Sequence, residues 1–298
     1  MRTFHVEHRS SPVLRLYPRH QRKSAPTRRI IGPVKPRIAI PVPHSTDIEY
    51  SEGSWPLYAS AIQRSGGEAV KVPLNLSPTA TANLINTCQG VLLPGSGADL
   101  NPQKYGQDPI EQSSPADRPR ENVDELLIQD AHNLYKPLFC ICFGTQSLNV
   151  WRGGTLIQDL TILPVNHRAG RKVAIAHTAA IAPDSLLGSI VVKDEAPEKD
   201  GFLRLPINSS HHQAIAIPGD GLRVAARCPQ DAVIEAVEGG QNANSAGGSP
   251  DHPAHFVLAV QWHPERSYDI SPTSQALFNR FIAEAAAWSP RPIHTSVA

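Results

Sequence analysis

Cysteine is scarce in this chain. Four residues in 298, Cys88, Cys140, Cys142 and Cys228, are too few for a disulfide scaffold. Cys140 and Cys142 stand two apart, not in the Cys-x-x-Cys spacing of redox and zinc sites, and no other pair lies close enough to complete a zinc ligand set. The expectation is a reduced, cytoplasmic compartment and no metal. Apolar runs of roughly 18 residues or more are absent too, which excludes a transmembrane helix, and the N-terminus lacks the apolar core of a secretory signal. Net charge is only +1. It is unevenly spread: residues 1–37 carry ten Lys or Arg against the single acidic Glu7, leaving 18 basic and 26 acidic residues in the remainder. An acidic body argues against nucleic-acid binding by the folded part.

What remains is ordinary for a soluble globular chain, with 40% hydrophobic and 18% charged residues, enough to build a sizeable core. Residues 1–35, rich in Arg, Pro, Ser and His without apolar periodicity, read as a disordered basic tail, or as the product of a mis-called start. Residues 36–288 read as one domain, and residues 289–298 as a frayed end. Short apolar runs alternate with helical spacing. Strands are expected at Arg37–Val42, Ala69–Val72 and Gly90–Leu93, with helices at Trp55–Arg64 and Thr79–Thr87 between them. That alternation predicts an α/β fold with a doubly wound, mostly parallel sheet. Val173–Ala180, Ser189–Lys193 and Leu222–Arg227 alternate like antiparallel strands extending it, and Ala232–Glu238 pairs with Phe256–Trp262 as a hairpin across a Gly-, Asn- and Ser-rich insertion. Leu100–Asn122 reads as a long loop, Val123–Leu134 as an amphipathic helix and Ser271–Ala287 as a C-terminal helix.

The chemistry concentrates in two places. Pro137–Ile141 is a buried-strand pattern running into Cys142, and Thr145–Trp151 then starts a helix. A cysteine between strand and helix sits where a tight turn exposes a nucleophile and the helix N-terminus favours a thiolate. The second apolar strand, Phe256–Trp262, runs straight into His263-Pro264-Glu265, a base with an acceptor for its other ring nitrogen two residues on.

Five stretches occur in order: Leu92-Leu-Pro-Gly-Ser-Gly-Ala-Asp99, Cys140-Ile-Cys-Phe-Gly-Thr-Gln-Ser-Leu-Asn149, Gly153-Gly-Thr-Leu-Ile-Gln-Asp159, Asn208-Ser-Ser-His-His-Gln-Ala214 and Val260-Gln-Trp-His-Pro-Glu265. Together they resemble the class I glutamine amidotransferase-like superfamily, and within it the gamma-glutamyl-gamma-aminobutyrate hydrolases, over roughly Pro36 to Ala287. The resemblance implies a flavodoxin-like three-layer sandwich and hydrolysis of a gamma-glutamyl amine, in a setting of polyamine catabolism. It implies a triad of Cys142, His263 and Glu265, an oxyanion hole from Gly95 and Phe143, and substrate contacts at Gln146, Ser209 and His212. His167 and His177 lie where that family also carries histidines and read as structural. The Asp117-Arg118 segment is expected beside the site. No cofactor is implied. The implied partner is a small gamma-glutamyl substrate, without nucleic acid or membrane, and a homodimer is left open.

Two residues depart from the family pattern. Ser96 replaces a glycine and would be strained if that position needs positive φ. Phe143 stands where arginine is common, which removes a cation from the pocket and adds an aromatic face that would favour a more apolar amine. Two rivals stay open at this point: a glutaminase subunit feeding ammonia to a separate synthase, and a catalytically silent binding protein on the same fold.

Overall fold

A computed structural model of the chain describes residues 35–160, 164–239 and 255–290. The expectations for a disordered tail, a mobile insertion and a frayed end fall largely outside these residues.

In chain order the elements are β1 (Arg37–Pro41), α1 (Ile48–Arg64), β2 (Glu68–Val72), α2 (Pro78–Ile85), β3 (Gly90–Leu93), α3 (Arg118–Leu134), β4 (Leu138–Ile141), α4 (Phe143–Trp151) and β5 (Thr155–Ile157). They continue with β6 (His177–Ile181), α5 (Leu186–Ile190), β7 (Glu198–Lys199), β8 (Phe202–Ile207), β9 (Ala214–Ile217), β10 (Leu222–Arg227), β11 (Ile234–Gly239), β12 (Val257–Val260) and α6 (Pro272–Ala287). Ten strands form one sheet in the order β2-β1-β3-β4-β12-β11-β10-β6-β8-β7, and β5 pairs with β9 separately. The first five strands of that order run parallel. From β12 outward every pairing is antiparallel. This is the mostly parallel sheet with an antiparallel extension that the sequence predicts.

The strand alternation is visible in what each residue packs on. Ile38, Ile40, Phe139 and Ile141 face a core shared with α1 and α6, while Ala39, Leu138 and Cys140 face the opposite core, shared with α2 and α3. All four residues of β3, β4 and β12 are buried, as expected for central parallel strands covered on both faces.

Three local expectations are corrected. Helix α1 starts at Ile48 rather than Trp55, capped by Asp47, whose side chain accepts from Tyr50 N–H; it runs through Gly53 and Pro56, which look like breakers in sequence. Packing of Tyr58, Ala61 and Ile62 against the sheet outweighs both. Helix α3 starts at Arg118, because Asp117 caps it by accepting from Arg120 N–H and a proline occupies its first turn. Ser189–Lys193 is no strand: the chain there is leaving α5, a single helical turn capped by Ser185.

Candidate active site

The registers bring three strand ends together. Leu93 of β3 pairs with Cys140 of β4, and Ile141 of β4 pairs with Val260 of β12. The residues just past these carboxyl ends are Gly95, Cys142 and His263. Ligands of open α/β sheets bind at this edge.

Cys142 is held in a backbone conformation that a β-carbon resists, φ 53° and ψ −107°. Its N–H still donates to Val260 O at 2.8 Å, so the turn is pinned to β12. Gly144 makes the turn feasible. A β-carbon there would meet Leu93 O at 2.4 Å, so any larger residue would lift α4 off β3. Thr145 adds two anchors through its hydroxyl, to Val260 O at 2.7 Å and Cys140 O at 3.2 Å.

His263 is clamped by its backbone. Its N–H donates to Asn208 Oδ1 at 2.9 Å and its carbonyl accepts from Asn208 Nδ2 at 2.8 Å. Its Nδ1 lies 2.8 Å from Glu265 Oε1, with both side chains almost fully buried. The carboxylate can only accept here, so Nδ1 carries the proton and Nε2 is the basic nitrogen. Gly95 joins His263 to Cys142: a β-carbon on it would sit 2.9 Å from His263 Cε1 and 3.6 Å from Cys142 Cβ. The absent side chain leaves room for the imidazole at this strand edge.

Burial sets the resting protonation. It pushes the Cys142 thiol up to about 12, and Glu265 adds to the rise, against Arg266, the Phe143 N–H and the Gln261 amide. Burial, with Arg266 and Arg171 nearby, holds His263 below its usual value despite Glu265. Glu265 is itself lowered: burial raises it, but His263 and Arg266 prevail. The resting pair is therefore a neutral thiol and a neutral imidazole, and His263 must act as a base during attack. Protonated His263 cannot. The acid limb of kcat/KM should then have its midpoint below about 6.5, with activity lost as pH falls through it; a pH–rate profile measured on free enzyme and dilute substrate checks this. The stability that keeping His263 neutral confers has the same sign, full above about pH 6.5 and lost as pH falls, because the unfolded chain binds the proton first.

The two oxyanion donors expected from the sequence have different surroundings. The Phe143 N–H reaches the Cys142 sulfur. The Gly95 N–H instead donates to the buried Tyr58 hydroxyl at 3.0 Å, so it is already spent on structure. The next residue, Ser96, lines the cavity in front of Cys142, and its N–H has no acceptor among the described residues. Ser96 is not at positive φ, and its hydroxyl accepts from Ala98 N–H at 3.1 Å. The substitution of serine for glycine is therefore unstrained and builds its own turn.

The cavity holds about 330 Å³ and is walled by Cys142, Phe143, Gln146, Ser96, Arg168 and His212, among others. Gln146 reaches it with its amide donating to Gln213 O at 3.0 Å and Gln261 Oε1 at 3.3 Å. His212 lies 2.7 Å from Asp99 and 3.4 Å from Asp159, and the Asp99 hydrogen bond raises it, against burial. Ser209 is not on the wall: it is fully buried and its hydroxyl donates to His167 O at 2.8 Å. Its neighbour Ser210 lines the cavity instead. His211 and His212 both line the cavity but take different partners, His211 beside Glu235 and His212 beside Asp99.

Phe143 does not offer an open aromatic face. At the first position of α4 it turns back into the core, 1% exposed, with the Arg120 guanidinium 4.9 Å above its ring. Nor is the pocket without a cation, because Arg168 stands on its wall, half-exposed and 3.0 Å from Asp159. Arg168, Asp99, Tyr58 and Gln261 are the site residues sequence reasoning missed. Asp99 and Gln261 lie inside recognised motifs; nothing local marks Arg168 or Tyr58. Asp117 and Arg118 border a second cavity that shares Gly97, Ala98 and Ser114 with the first.

The Peptidase C26 family description matches residues 44–265. Protein NtpR of Enterococcus hirae is 31% identical over 76% of this chain and 87% of its own length. The gamma-glutamyl-gamma-aminobutyrate hydrolase PuuD of Escherichia coli is 31% identical over 76% of this chain and 83% of its own. Among solved structures, one described as a GMP synthase component from Thermoplasma acidophilum superposes with a TM-score of 0.53 at 14% identity, covering 85% of this chain and 96% of that one. At that identity the likeness concerns the fold alone.

Proposed function

This chain belongs to the Peptidase C26 family, within the class I glutamine amidotransferase-like proteins, and from that premise we propose that it hydrolyses the gamma-glutamyl amide bond of a small gamma-glutamyl amine. The observation that carries the reading is Cys142 on its strained turn at the end of β4, beside the His263–Glu265 pair at the end of the neighbouring β12.

In this reading His263 Nε2 takes the thiol proton as Cys142 sulfur attacks the side-chain amide carbonyl. The tetrahedral oxyanion is held by the N–H groups of Phe143 and Ser96, the second replacing the Gly95 donor that Tyr58 occupies. His263 returns the proton to the departing amine, leaving a gamma-glutamyl thioester on Cys142. A water then gives its proton to the same nitrogen and attacks the thioester. Glutamate leaves and the thiol is restored. Glu265 holds the imidazole tautomer and stabilises the imidazolium.

The glutamyl end carries a carboxylate and an ammonium. Arg168 on the cavity wall suits the first, and Asp99 the second. An exposed charge-assisted contact falls at the weak end of its range, about 1.5 kcal/mol, so Arg168→Ala should raise KM about tenfold and leave kcat nearly unchanged. Steady-state kinetics on the variant test it, and a fall in kcat alone would assign Arg168 to the chemistry instead.

The proposal itself is tested by measuring glutamate released from gamma-glutamyl-gamma-aminobutyrate, other gamma-glutamyl amines and free glutamine, with Cys142→Ala as control. Cys142-dependent release from the amines supports it. Release from glutamine alone would point to a glutaminase, and no release from any compound would leave the fold without this activity.

A further inference from the structure

Beside the cavity, three histidines, of which His211 is on the cavity wall, converge on one carboxylate. His167 Nδ1 lies 3.3 Å from Glu235 Oε1, His177 Nε2 3.5 Å from the same oxygen and His211 Nε2 4.0 Å from Oε2. All four side chains are at most 2% exposed. None of these five inward atoms makes an aligned hydrogen bond. Buried polar atoms are rarely left so, and a cluster of them needs a physical reason.

The outward nitrogens explain why. His167 Nε2 bonds Asp231 at 2.9 Å, and His211 Nδ1 donates to the Gln213 carbonyl at 2.9 Å. His177 Nδ1 faces the Thr178 carbonyl at 3.4 Å. These partners are acceptors, so each outward nitrogen holds the ring proton and each inward nitrogen of a neutral ring presents a lone pair. The centre then contains imidazole lone pairs facing carboxylate lone pairs with no donor between them. A cation between His167, His211 and Glu235 satisfies the inward atoms of those three.

We propose that His167 Nδ1, His211 Nε2 and Glu235 bind a divalent transition-metal ion of the zinc type. The three ligand atoms lie within 4.8 Å of one another. A tetrahedral ion with bonds of about 2.0–2.1 Å separates its ligand atoms by about 3.4 Å, so only small shifts are needed. The outer Asp231–His167 bond is the carboxylate–histidine arrangement that orients a ligating imidazole and raises its basicity. A mixed imidazole and carboxylate set suits zinc better than calcium or magnesium.

The ion's place in the fold suggests its use. His211 is followed by His212 and Gln213, which wall the substrate cavity, and its N–H donates to His167 O, as does the Ser209 hydroxyl. Glu235 belongs to β11. The ion therefore ties the loop between β8 and β9 to the sheet and fixes the back of the pocket. None of its ligands belongs to the proposed triad, so it is placed to hold structure. The sequence expectation of no metal rested on cysteine spacing, and this set contains no cysteine.

The test uses the full chain without an affinity tag, as wild type and as Cys142→Ala, so that metal content is read independently of hydrolysis. Elemental analysis after gel filtration should give about one zinc-type ion per chain. After chelation, added Co²⁺ should restore thermal stability and give the visible absorption of a low-coordinate cobalt–imidazole site. Glu235→Gln and His211→Gln should lose that ion, Cys228→Ser should keep it, and Asp231→Asn should weaken binding about 10- to 100-fold. If the first two variants fail to fold, the wild-type cobalt spectrum and the Asp231→Asn affinity decide. A folded wild-type chain that is metal-free as isolated and takes up neither Zn²⁺ nor Co²⁺ would overturn the proposal and make the centre a protonated His–Glu network. An ion retained in both folded ligand variants would overturn it as well.

Discussion

Replacing Cys142 with alanine should lower gamma-glutamyl amide hydrolysis by on the order of 10⁴-fold or more, while the protein stays folded. Both halves follow from geometry. The sulfur is the one group at the strand end that can form a covalent intermediate, and in a triad loss of the nucleophile removes nearly everything the base contributes. A fall of that size is about 5.5 kcal/mol of transition-state stabilisation. Folding should survive for a different reason. The side chain is small, and the anchors of the turn are backbone and threonine bonds that alanine leaves in place, from Cys142 N–H to Val260 O and from the Thr145 hydroxyl to the two strand carbonyls. Glutamate release measured beside a thermal melt checks the two together. Loss of activity with loss of the melt would say nothing of nucleophilicity, and Cys142→Ser then serves as the closer isostere.

Glu265→Gln should cost a comparable factor, about 10⁴-fold in kcat. The carboxylate lies 2.8 Å from His263 Nδ1 and can only accept. A glutamine amide fits the same space but can turn its NH₂ toward the ring, which favours the tautomer with the proton on Nε2. That tautomer has no lone pair for the thiol. It also removes the negative charge that stabilises the imidazolium formed during attack, in a site where burial makes the charge costly. Binding should be little affected, because Glu265 does not line the cavity. Steady-state kinetics separate the two parameters: kcat falls and KM stays. A variant with near-native kcat would remove Glu265 from the triad and leave His263 oriented by Asn208 alone.

The fold was legible where one local pattern dominates. Buried parallel strands announce themselves as uniform apolar runs, and Gly90–Leu93, Pro137–Ile141 and Phe256–Trp262 mark the three strand ends that carry the site. Strand order past the core was harder to read, because β6 and β8 differ little in sequence from the short helix α5 between them, and periodicity in five or six residues cannot separate the two. The start of α1 was hidden by Gly53 and Pro56, whose local cost tertiary packing overrides.

In the site, the recognised motifs cover Cys142, His263 and Glu265. The proposed shift of the second oxyanion donor from Gly95 to Ser96 has a reason no spacing contains: Tyr58, from α1, takes the Gly95 N–H. Phe143 was misread for a related reason. Its side chain looks into the core and onto Arg120, so its identity bears first on packing. The cation expected to be missing comes instead from Arg168, in a loop with no periodicity to mark it.

The most direct measurement is mass spectrometry of the acid-quenched enzyme during turnover of gamma-glutamyl-gamma-aminobutyrate. The account predicts a transient gamma-glutamyl thioester on the peptide carrying Cys142, absent in Cys142→Ala and accumulating when the second step is slowed. Turnover of the substrate with no adduct on Cys142, and undiminished turnover by Cys142→Ala, would contradict it.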